Sequence, residues 1–231
     1  MSAAICGYMR WRSILFLHWK APPGALEKLI PPGLHLDLLD GSAFVSLLPF
    51  AMEGVRPVFL PERLSLRTLE VNVRTYVRGP DGLPGIYFHS LDAASLPAVF
   101  GGRRAFGLPY HPAAMSMTGP DPIEYVSERR WGGRPRLRVT YRVGGRLPDP
   151  CPGTPEHFLV ERYVFFVRRR RGLFSCRVRH APYTLHAADL LSLDDGLMAA
   201  AGIPLPGEPP AAVHWSPGVD VEVERLRKVE G

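Results

Sequence analysis

Glu70-Val71-Asn72-Val73-Arg74-Thr75-Tyr76-Val77-Arg78 alternates strictly between two kinds of side chain. The odd positions carry Val71, Val73, Thr75 and Val77, and the even ones Glu70, Asn72, Arg74, Tyr76 and Arg78. A period of two marks a β-strand with one apolar face and one polar face. Residues two apart on a strand point the same way, about 6.6–7 Å from each other. A carboxylate, an amide, a guanidinium and a phenol therefore stand in one row. Such a row lines a polar cavity, or it is a solvated sheet face with an ordinary Glu/Arg pair. The pattern alone leaves both open.

The same alternation extends outward from this strand. A Pro/Gly turn at 79–85 leads to a returning strand at 86–92. Upstream, strands are expected at 35–37 and 43–52 around the turn Asp40-Gly41, and another at 13–19. Pro22-Pro23 opens a short helix to Leu29, because proline is tolerated in a first turn, and Pro31-Pro32-Gly33 stops it. Downstream, residues 96–106 read as a central helix despite Gly101-Gly102, ended by Gly107-Leu108-Pro109. Further strands are expected at 123–130, 136–143, 158–168, 174–180 and 219–229. Residues 187–201 read as a second helical region broken near Asp194, and 204–210 as a loop. Many antiparallel strands and few helices predict one β-rich α+β domain over 1–231, its sheet curled into a barrel or sandwich.

Composition narrows the function classes. The 231 residues are 46% hydrophobic and 22% charged, an ordinary globular balance, and 25 prolines with 23 glycines favour turns. The net charge of +6 comes almost wholly from arginine, since Lys20, Lys28 and Lys228 are the only lysines. That charge permits anionic partners, but no nucleic-acid motif accompanies it, so no specific nucleic acid is expected. Cys6, Cys151 and Cys176 are odd in number and lack metal-ligand spacing. They imply no disulfide framework and place the expected compartment in the cytoplasm. The apolar run at 14–19 is too short to span a membrane. Neither a metal nor a cofactor is expected, and self-association is left open.

Other constellations are weaker. Gly102-Arg103-Arg104 through Tyr110-His111 puts arginines, a phenol and an imidazole around a helix end, where function often sits or where arginines simply face water. His180 and His186 match no standard zinc spacing. His18 and His89 read as strand residues with satisfied hydrogen bonds, and Arg168-Arg169-Arg170-Arg171-Gly172 as a solvated hairpin turn. Asp220, Glu222 and Glu224 alternate with valines and read as a solvated face. No phosphate loop, nucleophile elbow or HExxH occurs.

Taken together, several segments resemble the YqjF-like family of uncharacterised bacterial proteins. They are His18-Trp19 with Pro31-Pro32-Gly33-Leu34, the strand from Glu70 to Val77, Gly85-Ile86-Tyr87-Phe88, Arg103-Arg104 to Tyr110, Glu161-Arg162-Tyr163, and the segment from His180 to Leu185. That family is more distantly similar to acetoacetate decarboxylase. The resemblance implies a curved antiparallel sheet, partly closed into a barrel, with a few packed helices and an internal pocket. The decarboxylase works through a lysine that forms a Schiff base, and such a lysine must be partly neutral, so its pKa has to fall. Here Tyr110 falls where that lysine belongs and His111 beside it. Glu70 and Arg12 fall on its pocket glutamate and arginine.

The resemblance thus implies a small-molecule pocket without iminium chemistry. Glu70, Tyr110 and His111 are the candidate catalytic groups, and Arg12, Asn72, Arg74, Tyr76 and Arg104 the candidate ligand-binding ones. The expected ligand is a small carboxylate or carbonyl compound. Two alternatives stand beside this: an enzyme of decarboxylase, lyase or hydratase type acting on a keto acid, and an interaction protein using its arginine surface.

Overall fold

The computed structural model describes residues 4–204 and 207–229. Residues 205–206 of the expected loop lie outside that range. Among the described residues the chain forms β1 (Ile5–Ala21), α1 (Pro23–Glu27), β2 (His35–Leu36), β3 (Ala43–Pro57), β4 (Leu66–Arg78) and β5 (Pro84–Ala93). There follow α2 (Leu96–Phe106), β6 (Tyr110–Thr118), β7 (Ile123–Arg129), β8 (Arg136–Arg146) and α3 (Pro155–Val160). The remainder is β9 (Val164–Arg169), β10 (Gly172–Arg179), β11 (His186–Asp195), α4 (Leu197–Ala200), β12 (Ala212–Glu224) and β13 (Arg227–Lys228).

All strands belong to one 13-stranded sheet, in the order β13-β10-β9-β5-β6-β7-β8-β11-β12-β1-β3-β4-β2. Two further pairings, β5–β4 and β10–β12, bend this sheet back on itself. It becomes two partial rings that share β5, β4, β3, β1 and β12, and it is not a regular barrel. Sharing explains why β4 is buried on both faces. Tyr76 belongs to one core cluster, with Ile14, Phe16, Leu48 and Phe50. Val71 and Val73 belong to another, with Leu15, Leu17, Val45 and Leu47. The polar row from Glu70 to Tyr76 therefore faces the interior of the first ring, while Val71 and Val73 help fill the second.

The alternation inverts near the middle of β1. Met9 and Trp11 pack on the first core, and so do Ile14 and Phe16, with a change of parity between them. Ser13 sits there with a positive φ of 50°, and five steps of β1 from Arg12 to Leu17 oppose four of β3 from Ala51 to Leu47. This is a β-bulge: one extra residue flips every side chain beyond it. Opposite Arg12 on β12 stands Gly218, at φ 118°, where a Cβ would collide with the backbone of Trp11. Only glycine fits at that point.

Three local expectations fail. Residues 187–195 form β11, not helix, pairing with β8 from His186 to Asp195. Alanine and leucine favour a helix there, but pairing along a whole neighbouring strand overrides propensity. The helix begins only at Leu197, where both Asp195 carboxylate oxygens accept from the Leu197 and Met198 amides, at 2.8 and 3.4 Å. Residues 158–163 are not strand: 158–160 end α3, and β9 begins only at Val164. Thr154 caps that helix by accepting from the His157 amide, with Pro155 in the first turn. Strand β6 was not expected, because Tyr-His-Pro-Ala-Ala carries little strand signal. It forms because it pairs with β5 in parallel and β7 antiparallel. Helix α2 matches its expected bounds and closes with Gly107 in the left-handed region, a common helix stop.

Candidate functional site

A cavity of about 470 Å³ lies within the first ring, with α2 along one side. Glu70, Asn72 and Arg74 line it from β4, and Tyr110 from the start of β6. The Tyr110 hydroxyl donates to Glu70 Oε2 at 2.8 Å. The Tyr110 ring lies close under α2, where a Cβ on Gly102 would collide with it. Gly102 is thus the reason a tyrosine fits at this point, and Arg103 fixes the same residue by donating Nε to the Tyr110 carbonyl at 2.8 Å.

Glu70 is 3% exposed. Burial penalises its charged form and raises its pKa from 4.5 to about 8, against the opposing hydrogen bonds from Tyr110 and Asn72. At neutral pH the group is mainly a neutral carboxyl, able to donate one hydrogen bond while accepting Tyr110's. Burial, then the Glu70 charge, pushes the Tyr110 phenol well above its usual range. Tyr110 therefore acts as a donor.

Buried polar atoms are normally paired. Two atoms of this row are not: Asn72 Oδ1 and Arg74 Nε are buried without a hydrogen-bond partner. Arg74 Nη2 donates to the Leu159 carbonyl at 3.2 Å. The other deeply buried arginines have carboxylates: Arg129 has Asp92 and Arg162 has Asp37. Among the described residues no carboxylate pairs with Arg74. A buried guanidinium without a counter-charge is costly unless an anion completes it.

The expected site residues divide by side of the sheet. Glu70, Asn72, Arg74 and Tyr110 converge on the cavity. Tyr76 lies below it, donating to the Leu159 carbonyl at 2.7 Å and contacting Ser46 Oγ at 2.7 Å. Ser46 in turn meets His18 Nδ1 at 2.8 Å, but His18 Nε2 is buried without a partner, as is His89 Nε2, so those rings are only partly satisfied. His111 does not join the site. It follows Tyr110 on a strand and so faces the other way, in register with Asp92. Its pKa falls to about 4, from burial first and then from Arg129 and Arg103.

Arg12 is also outside. The Ser13 bulge puts Trp11 in the cavity wall and turns Arg12 outward to Asp220, at 2.5 Å. Arg104 is exposed on the outer side of α2, its carbonyl accepting from Arg169. Lys20, Lys28 and Lys228 are all exposed. Glu224 departs from the expected solvated face: it is 3% exposed and accepts from Arg179 Nε at 2.8 Å. Sequence reading missed Arg162, which lines the cavity and donates from Nη1 to Asp37 Oδ2 at 2.7 Å. Its only signal was its place in Glu161-Arg162-Tyr163.

Many surface arginines are paired, among them Arg10 with Glu62, Arg136 with Asp194 and Arg138 with Glu124. Among the described residues no helix is long and apolar enough to cross a membrane, and no three His, Cys, Asp or Glu residues cluster to hold a metal ion.

Comparison with known proteins agrees with this architecture. Residues 8–220 match the family model DUF2071, described as an uncharacterized conserved protein. The chain is 36% identical over 225 residues to the uncharacterized protein YqjF of Bacillus subtilis (strain 168), covering 94% of this chain and 90% of that one. Among solved structures it is similar to an acetoacetate decarboxylase-like enzyme from Sphingomonas wittichii RW1, with a TM-score of 0.67 at 12% identity over 98% of this chain and 94% of that one. It is also similar to acetoacetate decarboxylase from Legionella pneumophila, with a TM-score of 0.63 at 15% identity, over 100% and 90% of the two chains. At such identities the likeness is one of fold.

Proposed function

This chain belongs to the DUF2071 family of uncharacterized conserved proteins, and from that premise we propose that it binds a small carboxylate bearing a carbonyl group in the cavity of its first ring. The observation that carries this reading is Arg74, buried in the cavity wall with no carboxylate partner among the described residues. An anionic group against the Arg74 guanidinium, which lines the cavity, would lower that cost by a charge-assisted hydrogen bond. The neutral Glu70 carboxyl would donate to the ligand's carbonyl oxygen, held in place by Tyr110. The unpartnered Asn72 Oδ1 would accept from a hydroxyl or enol of the ligand.

A second reading has support from Glu70. A carboxyl whose pKa is raised to about 8 sits near neutrality, where an acid–base group exchanges protons most effectively. Acting beside a bound keto acid, it would move a proton at the carbon next to the carbonyl. Such chemistry requires no iminium, in keeping with tyrosine at the candidate position and lysines only on the surface. An interaction role for the arginine surface has less in its favour, because many of those arginines are paired.

The test is calorimetric titration of the wild type and Arg74→Gln with acetoacetate at pH 6.5. Binding by the wild type that drops at least tenfold in the variant supports the reading. Equal binding by both, or none by the wild type, rejects it. Deuterium exchange into bound acetoacetate, followed by NMR and lost in Glu70→Gln, would mark the catalytic version. Borohydride should trap no adduct on any lysine.

A further inference from the structure

The cavity is larger than a short keto acid needs. At about 30 Å³ per water-sized group, its 470 Å³ holds roughly fifteen such groups, more than twice what acetoacetate fills. The surplus is apolar. Each polar side chain of the β4 row is flanked by large hydrophobic ones on the neighbouring strands: Glu70 by Phe50, Asn72 by Leu48 and Leu91, and Arg74 by Phe88. Trp11 and Phe165 contribute to the same wall. Water filling such a space would find few partners beyond the polar row.

Two exposed hydrophobic side chains lie close in sequence to cavity-lining residues. Phe59 is 84% exposed and Phe100 is 60% exposed. Phe59 stands two residues from Pro57, and Phe100 next to Gly101, both of which line the cavity. Single exposed hydrophobics are ordinary, so the chamber itself, apolar with one polar stripe, carries the argument.

We infer that the ligand is amphipathic: a carboxylate or keto acid whose head meets Arg74 and the Glu70 carboxyl, and whose unbranched or aromatic body of about six to ten carbons occupies the rest of the cavity. This rests on the carboxylate-binding reading above and adds the apolar body to it. Ligand pockets of this size commonly bury most of a ligand's surface against apolar walls, with a few placed polar groups fixing its orientation.

The experiment is calorimetric titration of the full chain with butanoate, hexanoate, octanoate and decanoate. Affinity should rise about fourfold per added methylene, the value expected when each is fully buried, until the cavity is filled. Ala98→Phe, which narrows the cavity from α2, should lower the ratio of octanoate to butanoate affinity. Its helical content by circular dichroism checks that the variant is folded. Equal affinity for butanoate and octanoate overturns the apolar body while leaving the head-group site standing. Failure of every alkanoate to bind where acetoacetate binds overturns the apolar body alone, and failure of the alkanoates and acetoacetate together overturns both.

Discussion

Replacing Glu70 by glutamine should change how stability depends on pH, and the sign follows from burial. The folded carboxyl titrates at about 8 and the free one near 4.5. Below pH 4.5 the group is protonated in both states and contributes no difference. Between 4.5 and 8 the folded state holds a proton that the unfolded state has released, so stability falls as pH rises. At about 1.4 kcal/mol per pH unit, the loss reaches about 3 kcal/mol at pH 7 and about 5 kcal/mol above pH 8. Glutamine has the shape of the neutral carboxyl, and its Oε1 still accepts the Tyr110 hydroxyl. Glu70→Gln should therefore match the wild type near pH 4.5 and exceed it progressively to pH 9. Asp92, whose pKa burial raises to about 6 despite Arg129, titrates in both proteins. Its own contribution is common to both proteins, and only its charge coupling to Glu70 remains in the difference. Urea denaturation of both proteins at half-unit pH steps measures that difference directly. A gap independent of pH, or a variant less stable throughout, would refute the claim that a buried neutral carboxyl stands at this position.

The two adjacent glycines of α2 should respond oppositely. Gly102→Ala drives a Cβ into the Tyr110 ring and should cost about 1–3 kcal/mol, whereas Gly101→Ala meets nothing within 4 Å and should gain about 0.5–1 kcal/mol from helix propensity. Thermal denaturation separates the two, and equal effects would count against the placement of Tyr110. The arginines offer a second contrast. Arg129→Ala strands the buried Asp92 and should cost about 3–5 kcal/mol, while Arg12→Ala removes a half-exposed ion pair with Asp220 and hydrogen bonds to the Trp11 and Val219 carbonyls, and should cost less, about 1–2 kcal/mol. Arg12→Ala should also leave acetoacetate affinity unchanged, and a loss of binding would return Arg12 to the cavity.

Elements governed by local chemistry could be read from the chain. Helix α2 has a Ser95 cap accepting from the Ala98 amide, and a glycine stop. β4 has strict alternation. The misread segments are those in which a distant partner decides. β11 has the composition of a helix and becomes a strand because β8 lies along it. β6 has no strand signal of its own and is recruited between β5 and β7. Nothing local announces either pairing.

The candidate site divides along the same line. The sequence by itself determined that Glu70, Asn72 and Arg74 share one face, because strand geometry repeats every two residues wherever the strand is placed. The resemblance, also read from the sequence, implies tyrosine at the position of a reactive lysine. Whether that face met water or a cavity was decided by the tertiary structure. The pairings β5–β4 and β10–β12 bend the sheet into two partial rings and bury β4 from both sides. Tertiary structure likewise chose between neighbours. Tyr110 faces in and His111 out because consecutive strand residues oppose each other. Trp11 replaces Arg12 in the cavity wall because the bulge at Ser13 shifts the alternation by one residue. A single inserted residue is invisible to a periodicity count, yet it reverses every side chain beyond it.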